Sequence, residues 1–158
     1  MFLTPTTHFD TLAFDSPLKC EQRTNSDGTR VLCVRLYNAT GAAMVTGRVY
    51  RVAFDGDEET NPSAVACVTL ANVYQNVVVA MSDVAITSWG WFAIQGYCQA
   101  FVEGTTDVAK DDFLTVNDAT DDDAFIDDTT ARTINSFAIA CEAQAANSAV
   151  LALAVASR

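Results

Sequence analysis

Trp91-Phe92-Ala93-Ile94-Gln95-Gly96-Tyr97-Cys98-Gln99-Ala100-Phe101-Val102 decides the fold class of this 158-residue chain. A period of two places Phe92, Ile94, Gly96, Cys98, Ala100 and Val102 on one face. The opposite face holds Trp91, Ala93, Gln95, Tyr97, Gln99 and Phe101, which is mixed rather than polar. A strand with two partly apolar faces is expected to pack against a further layer or another subunit.

Similar short runs flank it. Leu32, Val34 and Leu36 alternate with Cys33 and Arg35, and Asn38-Ala39-Thr40-Gly41 then signals a turn. A second run sets Thr46, Arg48, Tyr50, Val52 and Phe54 on one side. An acidic loop over 55–62 follows, then apolar runs at Ala64–Leu70 and Gln75–Met81. Downstream come Phe113-Leu114, an aspartate-rich loop, Phe137–Ala143 and Val150–Leu153. Alanine favours a helix over 138–156, but Phe137, Ile139 and Cys141, like Leu151, Leu153 and Val155, alternate with small residues. Strand–turn–strand is the expected form of this tail. The pattern predicts an all-β chain, a small sandwich or barrel-like domain over 31–158, with an extended N-terminal arm over 1–30. The arm carries Phe2, Leu3, Phe9, Leu12 and Phe14 without a regular period. It needs cover from its own domain or from a neighbour, and Asn25-Ser26-Asp27-Gly28 closes it with a turn.

Half of the residues are hydrophobic and 18% are charged, which suits a folded chain. The formal charge is −11. Phosphate backbones and anionic headgroups repel such a surface, so neither nucleic acid nor membrane is an expected partner. The 137–156 stretch is apolar, but Glu142, Gln144, Asn147 and Ser148 make it a costly membrane span. The start Met1-Phe2-Leu3-Thr4-Pro5 lacks a signal peptide's basic region and apolar core. Cys20, Cys33, Cys67, Cys98 and Cys141 are odd in number and lie singly. They read as reduced thiols of a protein folded in a cytoplasm, and on that reading Asn38-Ala39-Thr40 is a chance sequon.

Catalytic constellations are not found. The one histidine, His8, lies in the arm, and the sequence has no nucleophile elbow, P-loop or dinucleotide-binding glycine motif. The expectation is a non-enzyme without cofactor. Nine aspartates crowd 107–128. Asp118, Asp121, Asp122 and Asp123 could ligate calcium, although their spacing is not that of an EF-hand and a solvated loop is the simpler reading. Paired carboxylates for glycoside cleavage would need a cleft that such a loop does not offer. Trp89 and Trp91 share a strand face and could stack on sugars or bases, or equally fill a core or subunit interface.

Val34-Arg35-Leu36-Tyr37-Asn38-Ala39-Thr40-Gly41-Ala42-Ala43-Met44, followed by Gly47-Arg48-Val49-Tyr50, resembles the opening of phage capsid cement (head decoration) proteins. The likeness continues through Gly90–Gly96 and Ala100, Val108-Ala109, Asp112-Phe113-Leu114, Ala138–Ala143 and Val150–Leu153. It covers 31–156 and leaves the arm outside. The family usually has Gly-Asp where this chain has Asp111-Asp112, which removes the glycine expected to supply positive φ there. The resemblance implies a structural virion protein on the capsid exterior, made in the bacterial host cytoplasm and often trimeric. Its partner would be the major capsid protein, whose neighbouring subunits it cements. Phe2, Leu3, Phe9, Phe14, Trp89 and Trp91 are the candidate contact residues. The rival expectation is a carbohydrate- or host-binding virion module, with calcium as an optional ligand.

Overall fold

The computed structural model describes residues 19–53, 63–66, 77–102, 107–116, 125–127, 137–145 and 148–154. No helix occurs among them. Ten strands form in chain order: β1 (Cys20–Thr24), β2 (Arg30–Asn38), β3 (Val49–Ala53), β4 (Ser63–Ala66), β5 (Val77–Ala80), β6 (Trp89–Val102), β7 (Phe113–Val116), β8 (Phe125–Asp127), β9 (Ala138–Ala140) and β10 (Ser148–Ala154). The chain is all-β, as expected. The tail is strand–turn–strand, with β9 and β10 paired antiparallel.

The pairings close two rings. β2, β4, β3, β5 and β6 form one circuit, and β6, β10, β9, β7 and β8 form the second. Closure removes exposed strand edges within each ring. The 14-residue β6 belongs to both. Its first half pairs with β2, from Tyr37 opposite Trp89 to Val31 opposite Gly96. Its second half pairs with β10, from Ala154 opposite Gly96 to Ser148 opposite Val102.

The two rings repeat one topology. In the first, β2 runs parallel to β4 and antiparallel to β6. In the second, β6 runs parallel to β8 and antiparallel to β10. β3 and β7 play the same part, each pairing with one strand on either side. Thus β6 is both the last strand of the first copy and the first of the second.

The repeat extends to the turns. Met44 and Val84 exchange two backbone hydrogen bonds of 2.9 Å, and so do Val108 and Gln144. Each of Met44, Val84 and Val108 is followed by a four-residue turn, closed from Arg48 N to Val45 O, from Ser88 N to Ala85 O and from Asp112 N to Ala109 O. The third residue of these turns has positive φ: Gly47 (80°), Thr87 (56°) and Asp111 (71°). That is type II turn geometry. Asp111 therefore adopts the left-handed conformation that Gly47 holds in its own turn.

Gly96 marks the handover between the rings. Its φ is 101°, and a Cβ there would run into the Arg30 carbonyl oxygen and the Val31 Cα. A register shift between Leu32 and Cys33 lies opposite this point. Together they let one strand bend from one ring into the next.

Two cores result. Val34, Leu36, Met44, Tyr50, Val52, Val78, Ala80, Val84 and Phe92 fill the first ring. The second core joins Cys98, Ala100, Val102, Val108, Leu114, Phe137, Ala138 and Ala140 to residues on the outside of the first ring, including Cys33, Val49, Val79 and Ala93. The mixed second face of the central strand is explained by this junction. Ala93 faces the other ring and not solvent. β1 pairs with β2 from Cys20 opposite Val34 to Thr24 opposite Arg30, so the sheet begins inside the stretch expected to be arm. The 25–28 turn forms as expected, with Gly28 N donating to Asn25 O at 3.0 Å.

Candidate interaction surface

The outer face of β1, β2 and the first half of β6 concentrates the aromatic and cationic side chains. β2 turns Leu36 and Val34 inward, which sends Arg35 and Tyr37 outward. On β6, Gly90 and Phe92 are buried while Trp89 and Trp91 lie on the outer face, half-buried. Register sets Arg35 opposite Trp91 and Tyr37 opposite Trp89.

These side chains stack. The Arg23 guanidinium lies 4.4 Å from the Trp91 ring centroid, and that of Arg35 lies 5.5 Å from Trp89. Tyr37 meets Trp89 edge-on at 5.5 Å and 61°. Arg23 Nε also sits 3.4 Å from Glu21 Oε1. Trp91 packs on the second core from the other side. A guanidinium lying over a ring keeps its in-plane N–H groups for other acceptors. The face therefore offers cationic donors rather than bare rings, which weighs against sugar stacking on the two tryptophans.

A second feature is the pair of turn tips beside the Met44–Val84 bridge. Val45 and Ile86 are 51% and 48% exposed, the largest exposed aliphatic side chains among the described residues. Ala42, Ala43 and Ala85 are exposed beside them. Asp83 ties the two turns together by accepting from Thr46 N and Thr46 Oγ1, both at 2.8 Å. These bonds hold its carboxyl below the usual range. At the equivalent place in the second ring the exposed residues are Asp107, Ala109, Lys110, Asp111, Glu142, Ala143 and Ala145. The first ring's turns thus carry the exposed Val45 and Ile86 with one carboxylate, Asp83, and the second ring's carry more carboxylates, with Lys110 among them. Sequence reading missed the apolar tips because isolated Val and Ile in a turn carry no periodic signal.

Asn38 anchors the first pair of turns from below. It is fully buried. Its Nδ2 donates to the carbonyls of Ala42 (2.9 Å), Val84 (3.1 Å) and Ala85 (3.2 Å), and its Oδ1 accepts from Thr40 N (2.9 Å) and Thr40 Oγ1 (2.7 Å). The sequon asparagine is accordingly a structural group in the folded chain, with no room for a glycan.

A cleft of about 330 Å³ separates the 25–28 turn from Thr46 and Gln99. Asp27 in its wall is already engaged by Thr29, whose N and Oγ1 donate to it at 2.9 and 2.6 Å. Among the described residues, no three His, Cys, Asp or Glu side chains converge as metal ligands would. Asp118, Asp121, Asp122 and Asp123 lie outside the described residues, as do Phe2, Leu3, Phe9 and Phe14. Cys33 and Cys98 are buried and free, and desolvation pushes their thiols up to about 11 and about 12.

No family model matches the sequence, and no curated protein matches it either. A solved structure does. The fold is similar to that of the head fiber gp8.5 N base of bacteriophage phi29, with a TM-score of 0.51 and 15% sequence identity. The match covers 80% of this chain and 97% of that one. At this identity the likeness is one of fold.

Proposed function

We propose that this chain is a structural protein of a phage virion, without catalytic activity, that binds the outer surface of the capsid. There it cements neighbouring major capsid protein subunits and acts as a homo-oligomer, a trimer in the simplest case. The observation that carries the reading is the likeness of this all-β fold to a phage head fiber base, across 97% of that base. The resemblance of residues 31–156 to capsid cement proteins points the same way from independent ground. Charge agrees: at −11 overall the chain is repelled by the phosphates of packaged DNA. Its hydrogen-bonded paired turns present shaped apolar tips to a partner. Repetition over a shell lets each contact be modest, because many act together. Synthesis in the host cytoplasm accords with the free thiols.

The test uses heads from phage that lack the gene. Purified chain is added, and its co-sedimentation with the heads is measured beside a chain lacking residues 2–16. We expect saturable binding, weakened by the truncation. Heads that stay bare at every concentration would sink the reading. Full occupancy by the truncated chain would remove the arm from it.

A further inference from the structure

We propose that the Arg23–Trp91–Arg35–Trp89–Tyr37 face is the contact by which one copy of this chain holds the acidic second ring of another. This deepens the homo-oligomeric part of the reading above and rests on it.

The argument starts from charge. At −11 overall, copies of the chain repel one another unless unlike patches meet. The charge is unevenly placed. Four of the nine basic residues, Lys19, Arg23, Arg30 and Arg35, fall on or beside β1 and β2, against Glu21 and Asp27. From Gly96 to the end there are eleven carboxylates and three basic residues. The described part of that second half exposes Asp107, Asp111 and Glu142, with Lys110 the one exposed cation beside them, around the Val108–Gln144 bridge.

Geometry selects the donor. Arg35 is half-buried and stacked on Trp89, yet its guanidinium meets no acceptor among the described residues. Stacking holds its fork in place, so little rotamer entropy remains to be lost when a carboxylate binds. Trp and Arg held in this way are the residue types that dominate interface energetics. The first ring's turns expose one carboxylate, Asp83, and the second ring's expose more, so the ladder favours the second repeat of its partner. The contact joins unlike faces, and such head-to-tail contacts close into a ring when the rotation allows.

The experiment is the solution mass of the full chain by light scattering, without heads, at low and high salt. Wild type is expected above the 16.9 kDa monomer mass at about 50 mM salt and near it at about 1 M, where screening shortens to a few ångströms. Arg35→Glu should be monomeric at low salt while keeping its β-sheet circular dichroism. Asp107→Lys with Glu142→Lys, added to Arg35→Glu, should restore the larger mass. An Arg35→Glu chain with wild-type mass would overturn the contact while leaving head binding untouched. A wild-type chain monomeric at every salt would overturn both this contact and the homo-oligomer. Unchanged mass with lost retention on immobilised heparin would assign the face to an anionic glycan instead.

Discussion

Thr87 and Asp111 occupy the same place in two copies of one turn, each at its third position and each with positive φ, 56° and 71°. Gly47 holds that place in a third copy. The left-handed region costs an L-residue roughly 1–2 kcal/mol. Aspartate tolerates it through local hydrogen bonding, whereas a β-branched side chain resists it.

Replacing Thr87 by Gly should therefore raise stability by about 0.5–1 kcal/mol, offset in part by glycine's larger unfolded-state entropy. Asp111→Gly should gain less. Urea denaturation with an unchanged slope checks both. A Thr87→Gly chain less stable than wild type would mean that the 2.7 Å bond from Thr87 Oγ1 to Ile86 O outweighs the strain.

Gly96 makes the opposite prediction. Its φ of 101° and its approach to the Arg30 and Val31 backbone leave no space for a methyl group. Backbone atoms cannot yield as the end of a flexible side chain can. Gly96→Ala should cost about 3 kcal/mol or more. Because β6 serves both rings, the loss should appear as one cooperative transition. Two separated melting steps would show that the rings unfold independently.

Much of this architecture is legible from alternation alone. Phe92, Cys98, Ala100 and Val102 are buried as the central strand's pattern requires, and the β9–β10 tail follows from alternation overriding alanine's helix propensity. The duplication is not legible in the same way. Its mark is the spacing of positive-φ positions, and these carry Gly, Thr and Asp, which have no common chemistry. Under the repeat Met44-Val45-Thr46-Gly47-Arg48 falls on Val108-Ala109-Lys110-Asp111-Asp112, and no residue is shared between them. The cationic ladder is half legible. Trp89 and Trp91 stand out, but their partners Arg23 and Arg35 lie some sixty residues away and come into register only through pairing. Residue 30 is not the edge of the sheet because β1, which looks polar, needs only one covered face as an outer strand.

Asn38 supplies a third prediction. In Asn38→Asp the donors facing three carbonyls are replaced by a buried carboxylate, a repulsive arrangement. The loss should be about 3 kcal/mol at neutral pH and should shrink in acid, where the carboxyl is protonated and can donate one bond. Thermal melts at two pH values read this out. A pH-independent loss would place the cost in shape rather than charge.

The cysteines make the last prediction, and its sign follows from burial. Desolvation by the surrounding apolar core raises Cys98 to about 12 and Cys33 to about 11, from an ordinary value of 9.0. Below pH 9 these thiols are protonated in both the folded and the unfolded chain, so they contribute no pH dependence. Between pH 9 and about 12 the unfolded chain releases protons that the folded chain keeps. The folded state then binds more protons than the unfolded state, and stability must fall as pH rises through that window. Replacing both by Ala should flatten this alkaline decline, although it lowers stability overall through lost packing. In the native chain at pH 8, an alkylating reagent should modify Cys33 and Cys98 far more slowly than in urea, because the thiolate is the nucleophile and neither site supplies it. Mass spectrometry of the labelled peptides decides the matter. Labelling of Cys98 at the unfolded rate would show that the junction between the rings opens freely, contradicting a shared core.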